Sequence, residues 1–172
     1  MNKTLMIAAV LGLSSVAFAQ TTTQPATPAA PATTETAPAE TRSPQEHFAR
    51  AQEMAAQAEI AYPVAFADRI LWKAALAEAY AASSAEPNNR QYTAYLGQLY
   101  TTTQWWINGY NTWLRLGDLN EQERQWAALT AAKLAYLRLQ AGDRAGATAY
   151  INQGLQWAQT PSLLSLQQAA AR

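Results

Sequence analysis

The sequence predicts an all-α fold of about seven helices, and three observations carry that expectation. Apolar residues recur at helical spacing, most cleanly at Tyr92, Tyr95, Leu96, Leu99 and Tyr100, which follow i, i+3, i+4, i+7, i+8. Helix-start signals recur along the chain at Ser43, Asn89, Asn120, Asp143 and Thr160, each a side chain able to accept a bond from a first-turn backbone N–H. No stretch after residue 42 shows strong strand alternation, and β-branched residues are few there.

Residues 1–19 have the pattern of an export signal. Lys3 gives a positive start, Leu5 to Val16 a mostly apolar run, and Ala17-Phe18-Ala19 a small-x-small cleavage site. The apolar run is shorter than the roughly 20 residues a permanent membrane helix needs. We therefore expect a secreted or periplasmic protein, cut after Ala19, with no stable membrane anchor after cleavage. Residues 20–42 are Thr, Ala and Pro with two Glu. Pro25, Pro28, Pro31 and Pro38 remove backbone donors, and nothing bulky is available to bury. This segment is expected to be a disordered tether, reaching ~70 Å at ~3.1 Å per residue. The helical domain then covers 43–172.

The chain has no Cys, which excludes disulfides, Cys-bound zinc and a thiol nucleophile. Without Lys3 it carries eleven basic against twelve acidic side chains. That balance argues against a nucleic-acid partner, which would need a basic excess.

Ser43-Pro44-Gln45-Glu46 is a capping box with Pro at the first helical position. The helix it opens has a small-residue stripe of Phe48, Ala51, Ala55 and Ala58, and should stop near Ala61 because Tyr62 precedes Pro63. A second helix is expected from Ala65 to Ser83 with Ile70, Ala74, Ala77 and Tyr80 on one face, broadened by Leu71, Trp72 and Leu76. Asn89 starts the third. Thr101-Thr102-Thr103-Gln104 is poor helix material and predicts a turn. Trp105-Trp106 opens the fourth helix, which ends at Gly117. Asn120 with Glu123 opens the longest helix, striped by Trp126, Leu129, Ala132, Tyr136 and Leu139. After a turn at 141–143, Ala147, Tyr150, Ile151, Leu155 and Ala158 mark the sixth helix, and Thr160-Pro161 starts a short seventh.

Self-similarity adds a family. Pro87, Leu96-Gly97, Tyr100, Trp106, Gly109 and Trp113 stand at the offsets of one 34-residue helix–turn–helix unit, and the stretch 87–117 resembles a tetratricopeptide repeat. Trp72 to Leu76 resembles the second helix of a preceding unit. Ala135 to Leu139 with Gly142, Asp143 and Ala147 resembles the middle of a following one. The resemblance implies an α-solenoid of about three antiparallel helix pairs with a C-terminal capping helix. In this pattern Pro63 falls where the first helix should still be passing, so that helix is expected to be displaced or broken. A non-repeat helical bundle is the structural alternative.

In that family peptides commonly lie in a concave groove lined by the first helix of each pair. Carried onto this chain, the groove residues would be Gln91, Ala94, Gln98, Thr101 and Thr102, all uncharged, with Arg138 the nearest cation on an equivalent face. The Lys, Arg and Asn set that clamps a terminal carboxylate in some members has no counterpart here. The resemblance thus implies a scaffold for an envelope protein or peptide, held by hydrogen bonds and aromatic contacts, without cofactor.

No residue pattern points to catalysis. His47 is the single histidine and is expected to face solvent; Ser43 is explained by capping; Glu121 and Glu123 diverge on a helix. The aromatics are read as core for Tyr95, Tyr100, Trp106 and Trp113. Trp105 is set apart, because its neighbour Trp106 takes the inward direction. With Tyr110 and Asn108 it forms the basis of a second reading, a module binding cell-wall glycan.

Overall fold

A computed structural model describes residues 42–172, so the expectations for the leader and for all but the last residue of the linker lie outside the described residues. The described residues form seven helices and no strand: α1 (Pro44–Ala61), α2 (Ile70–Ala85), α3 (Arg90–Thr102), α4 (Trp106–Leu116), α5 (Glu121–Gln140), α6 (Arg144–Trp157) and α7 (Pro161–Ala170). Each packs on its successor, while α5 also touches α3 and α7. No helix among them is long and apolar enough to cross a membrane.

The helix-start chemistry is as expected. Ser43 and Glu46 exchange bonds at the head of α1, and Asn120 and Glu123 do the same at α5. Asn89, Asp143 and Thr160 each accept a first-turn N–H. Gly117 and Gly142 sit at φ 75° and 77°, the left-handed region that a side chain would make costly.

α1 runs unbroken to Ala61, where its end was expected, and buries Phe48, Ala51, Ala55 and Ala58; Pro63 lies beyond it in non-helical chain, so no helix passes through that position. The second helix begins at Ile70 rather than Ala65. Residues 62–69 form a connection held by tertiary bonds: Ala67 N–H donates to Thr103 O (3.2 Å), and Gln104 Nε2 donates to Ala65 O (3.3 Å). Those partners lie more than thirty residues away, where local periodicity carries no signal.

α2 is also rotated from its expected face. Trp72, Ala75, Leu76, Ala79 and Ala82 are buried, while Ile70 (79% exposed) and Tyr80 (58%) face outward. The reason lies in α1, whose buried stripe is mostly alanine. Small residues meeting small residues allow the closest helix approach and the most dispersion contact. The two alanine stripes join one core cluster with Trp72, Leu96, Leu99 and Tyr100.

α5 shows the same effect. Its core runs through Ala127, Ala128, Thr130, Ala131, Leu134 and Ala135, with Ala132 shared with the expected stripe. Leu129 (41% exposed) and Tyr136 (50%) lie outside. α5 packs on four helices, and its small residues are the ones that let those neighbours approach closely. The α3 stripe holds: Tyr92, Leu96, Leu99 and Tyr100 are buried and Tyr95 is half-buried.

Candidate functional site

The inward stripe of α3 leaves Gln91, Ala94 and Gln98 on its other face, at spacings of three and four. These three line a groove of about 660 Å³. Phe48 and Gln52 of α1 form one wall, and Gln122, Glu123 and Trp126 of α5 form the other. Phe48 is fixed by aromatic contacts to α3, with ring centroids 4.8 Å from Tyr92 and 5.3 Å from Tyr95. Tyr95 is itself part of the lining.

An ion pair forms part of the lining. Arg90 donates to both carboxylate oxygens of Glu123 (2.9 and 2.6 Å) and to Asp118 O. Glu123 simultaneously accepts Asn120 N–H at 2.8 Å, so one carboxylate ties the start of α5 to α3. Burial pushes the Glu123 carboxyl up, but the bonds from Arg90 and Asn120 N–H outweigh it and hold the group below its ordinary value. Hydrogen bonding to Glu123 likewise raises Arg90. With these two charges neutralising each other, the remaining polar lining is amide: Gln52, Gln91, Gln98, Asn120 and Gln122. An amide both donates and accepts, so this lining can match the backbone of an extended chain.

The structure corrects several expected positions. Thr101 is not on the groove. α3 continues through Thr102, and Thr101 is 2% exposed in the core. Its Oγ1 donates to Gly97 O (2.9 Å), accepts Trp113 Nε1–H (3.1 Å) and lies 3.0 Å from Thr130 Oγ1. Thr102 is half-buried and does not line the groove. Arg138 pairs with Asp143 at its own turn (3.2 Å), away from the groove. The turn that the threonines were expected to make is reduced to Thr103 and Gln104, where Gln104 takes φ 65°.

Trp105 and Tyr110 do not share a face. Trp105 is 48% exposed and stacks on Tyr100, centroids 5.7 Å apart. With Asn108 it lines a second hollow of about 560 Å³. Tyr110 turns toward α6 and packs edge-on against Tyr150 (4.9 Å) and Trp157 (5.4 Å). Trp106, read as core, is half-buried with Lys133 Nζ 5.9 Å from its ring. His47 is not free in solvent: its Nδ1 lies 2.5 Å from Glu78 Oε2, and Arg42 and Arg50 approach the same carboxylate. Arg42, assigned to the linker, thus already contacts the helical body.

Phe48, Gln52, Gln122 and Trp126 were missed as lining residues. The signal was available: if α3 lends its outer face to a groove, the corresponding faces of α1 and α5 should join it. Residues 48 and 52, and 122 and 126, are each four apart, as that requires. Among the described residues no group of three or more His, Asp or Glu could hold a metal ion.

No model of a known family matches the chain, no curated protein matches it, and no solved structure matches it.

Proposed function

We propose that this chain is an exported, tetratricopeptide-like scaffold that binds an extended, uncharged segment of a cell-envelope protein, without catalysis. In this reading α1/α2, α3/α4 and α5/α6 are three repeat units and α7 is the cap. The observation that carries it is the composition of the groove wall. The helices that would open each unit, α1, α3 and α5, supply nearly all of its lining, with Trp113 of α4 added. Amides on α1, α3 and α5 would serve the backbone of the bound segment, while Phe48, Tyr95 and Trp126 would receive its apolar side chains. The closed Arg90–Glu123 pair leaves no free charge to select a charged ligand. Residues 1–19 would direct export, and residues 20–42 would tether the scaffold away from its attachment or partner.

Site-specific photo-crosslinking tests this reading. A crosslinker at Gln98 should capture a discrete envelope protein, and the adduct should map to an extended, low-charge segment. Tyr95→Ala and Gln91→Arg should abolish capture, whereas a crosslinker at exposed Leu164 should give none. Capture that survives both groove variants would refute the assignment. Export is tested separately, by whether the mature protein begins at Gln20.

A further inference from the structure

We propose that the hollow between α2, α4 and the 62–69 connection is a separate subsite for a neutral saccharide ring, with Trp105 as its stacking platform. Trp105 is the N-cap of α4 yet makes no side-chain cap bond. That position ordinarily favours Asn, Asp, Ser or Thr, so helix formation does not explain a tryptophan there. Nor does burial, since the residue is 48% exposed.

What the residue does have is a fixed orientation. Its backbone N–H donates to Tyr100 O at 2.8 Å, and its ring lies on buried Tyr100 with an interplanar angle of 27°. Gln104 before it holds φ 65° as the left-handed residue that closes α3: its N–H donates to Thr101 O (3.2 Å) while Trp105 N–H reaches Tyr100 O, so the helix end itself fixes where Trp105 stands. Gln104 is pinned there by its bond to Ala65 O.

The walls supply the rest. Tyr80, 58% exposed on α2, lines the same hollow, over an apolar floor of Leu76 and Ala77. Asp68, Lys73 and Asn108 complete it with a carboxylate, an ammonium and an amide. A volume of about 560 Å³ is within the range of small-molecule sites. A pyranose ring has an apolar C–H face for the indole and equatorial hydroxyls that both donate and accept. A lipid chain or bare aromatic ring would leave the polar groups at the site without partners, which costs binding. Asp68 and Lys73 bring opposite charges, so a neutral ligand fits better than an ionised one.

This subsite is distinct from the amide-lined groove, and its test does not depend on that groove. The mature chain, labelled on its indole nitrogens, is titrated with N,N′-diacetylchitobiose and with cellobiose, and free indole serves as the apolar comparison. The Trp105 indole signal should shift saturably with at least one disaccharide, while that of buried Trp113 stays in place. Trp105→Ala should weaken binding about tenfold or more, the scale of one aromatic stacking contact. Tyr80→Ala, an exposed residue lining the same hollow, should also weaken it, and Tyr95→Ala in the groove should not. The proposal is overturned if neither disaccharide shifts Trp105, if Trp105→Ala binds undiminished, or if indole binds more tightly than both sugars.

Discussion

Gly97 lies against the face of Trp113: a Cβ at Gly97 would stand 3.1 Å from three atoms of the indole. Trp113 cannot retreat, because it is 1% exposed and its Nε1–H is bonded to Thr101. Gly97→Ala would gain about 1 kcal/mol of helix propensity, against an overpacking cost of about 1–3 kcal/mol. With the neighbour immobile, a net loss of about 1 kcal/mol is expected. In a Trp113→Phe background the smaller ring leaves room, and the same substitution should become neutral or stabilising. Chemical unfolding of the four proteins in a double-mutant cycle measures this, and additive effects would contradict it.

The contact depends on a buried hydroxyl hub. Thr101 and Thr130 each donate to a carbonyl one turn back, to Gly97 and Trp126, and also meet each other, while Trp113 Nε1–H points at Thr101. Two hydroxyl protons serve three acceptor contacts, so one proton alternates. Thr101→Val keeps the shape but removes the acceptor for Trp113, leaving a buried donor unpaired at a cost of about 1–3 kcal/mol. Thr101→Ser should retain most of the stability. Comparable melting temperatures for the Val and Ser variants would refute the hub.

Much of this arrangement was legible in the sequence, but for uneven reasons. Caps and the α3 stripe depend on residues within a turn of one another, so Ser43, Asn89, Asn120 and the Tyr92–Tyr100 pattern could be read locally. The faces of α2 and α5 could not. Hydropathy gives Ile70, Tyr80, Leu129 and Tyr136 more weight than alanine, yet close helix approach favours alanine inside. The start of α2 depended on bonds from Ala65 and Ala67 to the far Thr103–Gln104 turn. On the groove, Gln91, Ala94 and Gln98 came from the resemblance to the repeat family, as did Thr101, which was misplaced because the end of α3 was set too early and the helix carries it onto the buried face of Gly97. The separation of Trp105 from Tyr110 follows from α4 geometry: residues five apart point in different directions.

Arg90 and Glu123 should couple stability to acid pH. The Glu123 carboxyl is held below its ordinary value in the folded chain. Its contribution is therefore present above the unfolded value of about 4.5 and is lost as pH falls through the folded value. Glu46, held low first by the Ser43 backbone N–H and then by its hydroxyl, acts in the same sense. Arg90 is nearly half exposed, so solvent screening limits the pair to about 1 kcal/mol at neutral pH. Glu123→Gln should lower stability by about that amount at pH 7 and reduce the acid slope without abolishing it, since Glu46 remains. Unfolding curves at stepped acid pH measure both, and an unchanged slope would contradict the assignment.

At the alkaline end the tyrosines set the limit. Burial, with the Glu59 charge adding to it, pushes Tyr95 up to about 12. Burial also raises Tyr100, opposed by a bond from Asn108, and raises Tyr110 with help from Tyr150. A raised folded value means that the unfolded chain loses its protons first as pH climbs. The stability these groups contribute is complete below about pH 10 and declines as pH rises toward about 12. Tyr95→Phe removes the most strongly shifted group while keeping the ring that packs on Phe48, so it should flatten part of this decline and leave the neutral-pH fold intact. Chemical unfolding across that range, followed with tyrosinate absorbance, provides the measurement. The Tyr95 ring also lines the groove, so a ligand seated there should bury it further and delay its titration. A neutral peptide that captures the groove should therefore move the tyrosinate curve upward in the parent protein and leave it unmoved in Gln91→Arg.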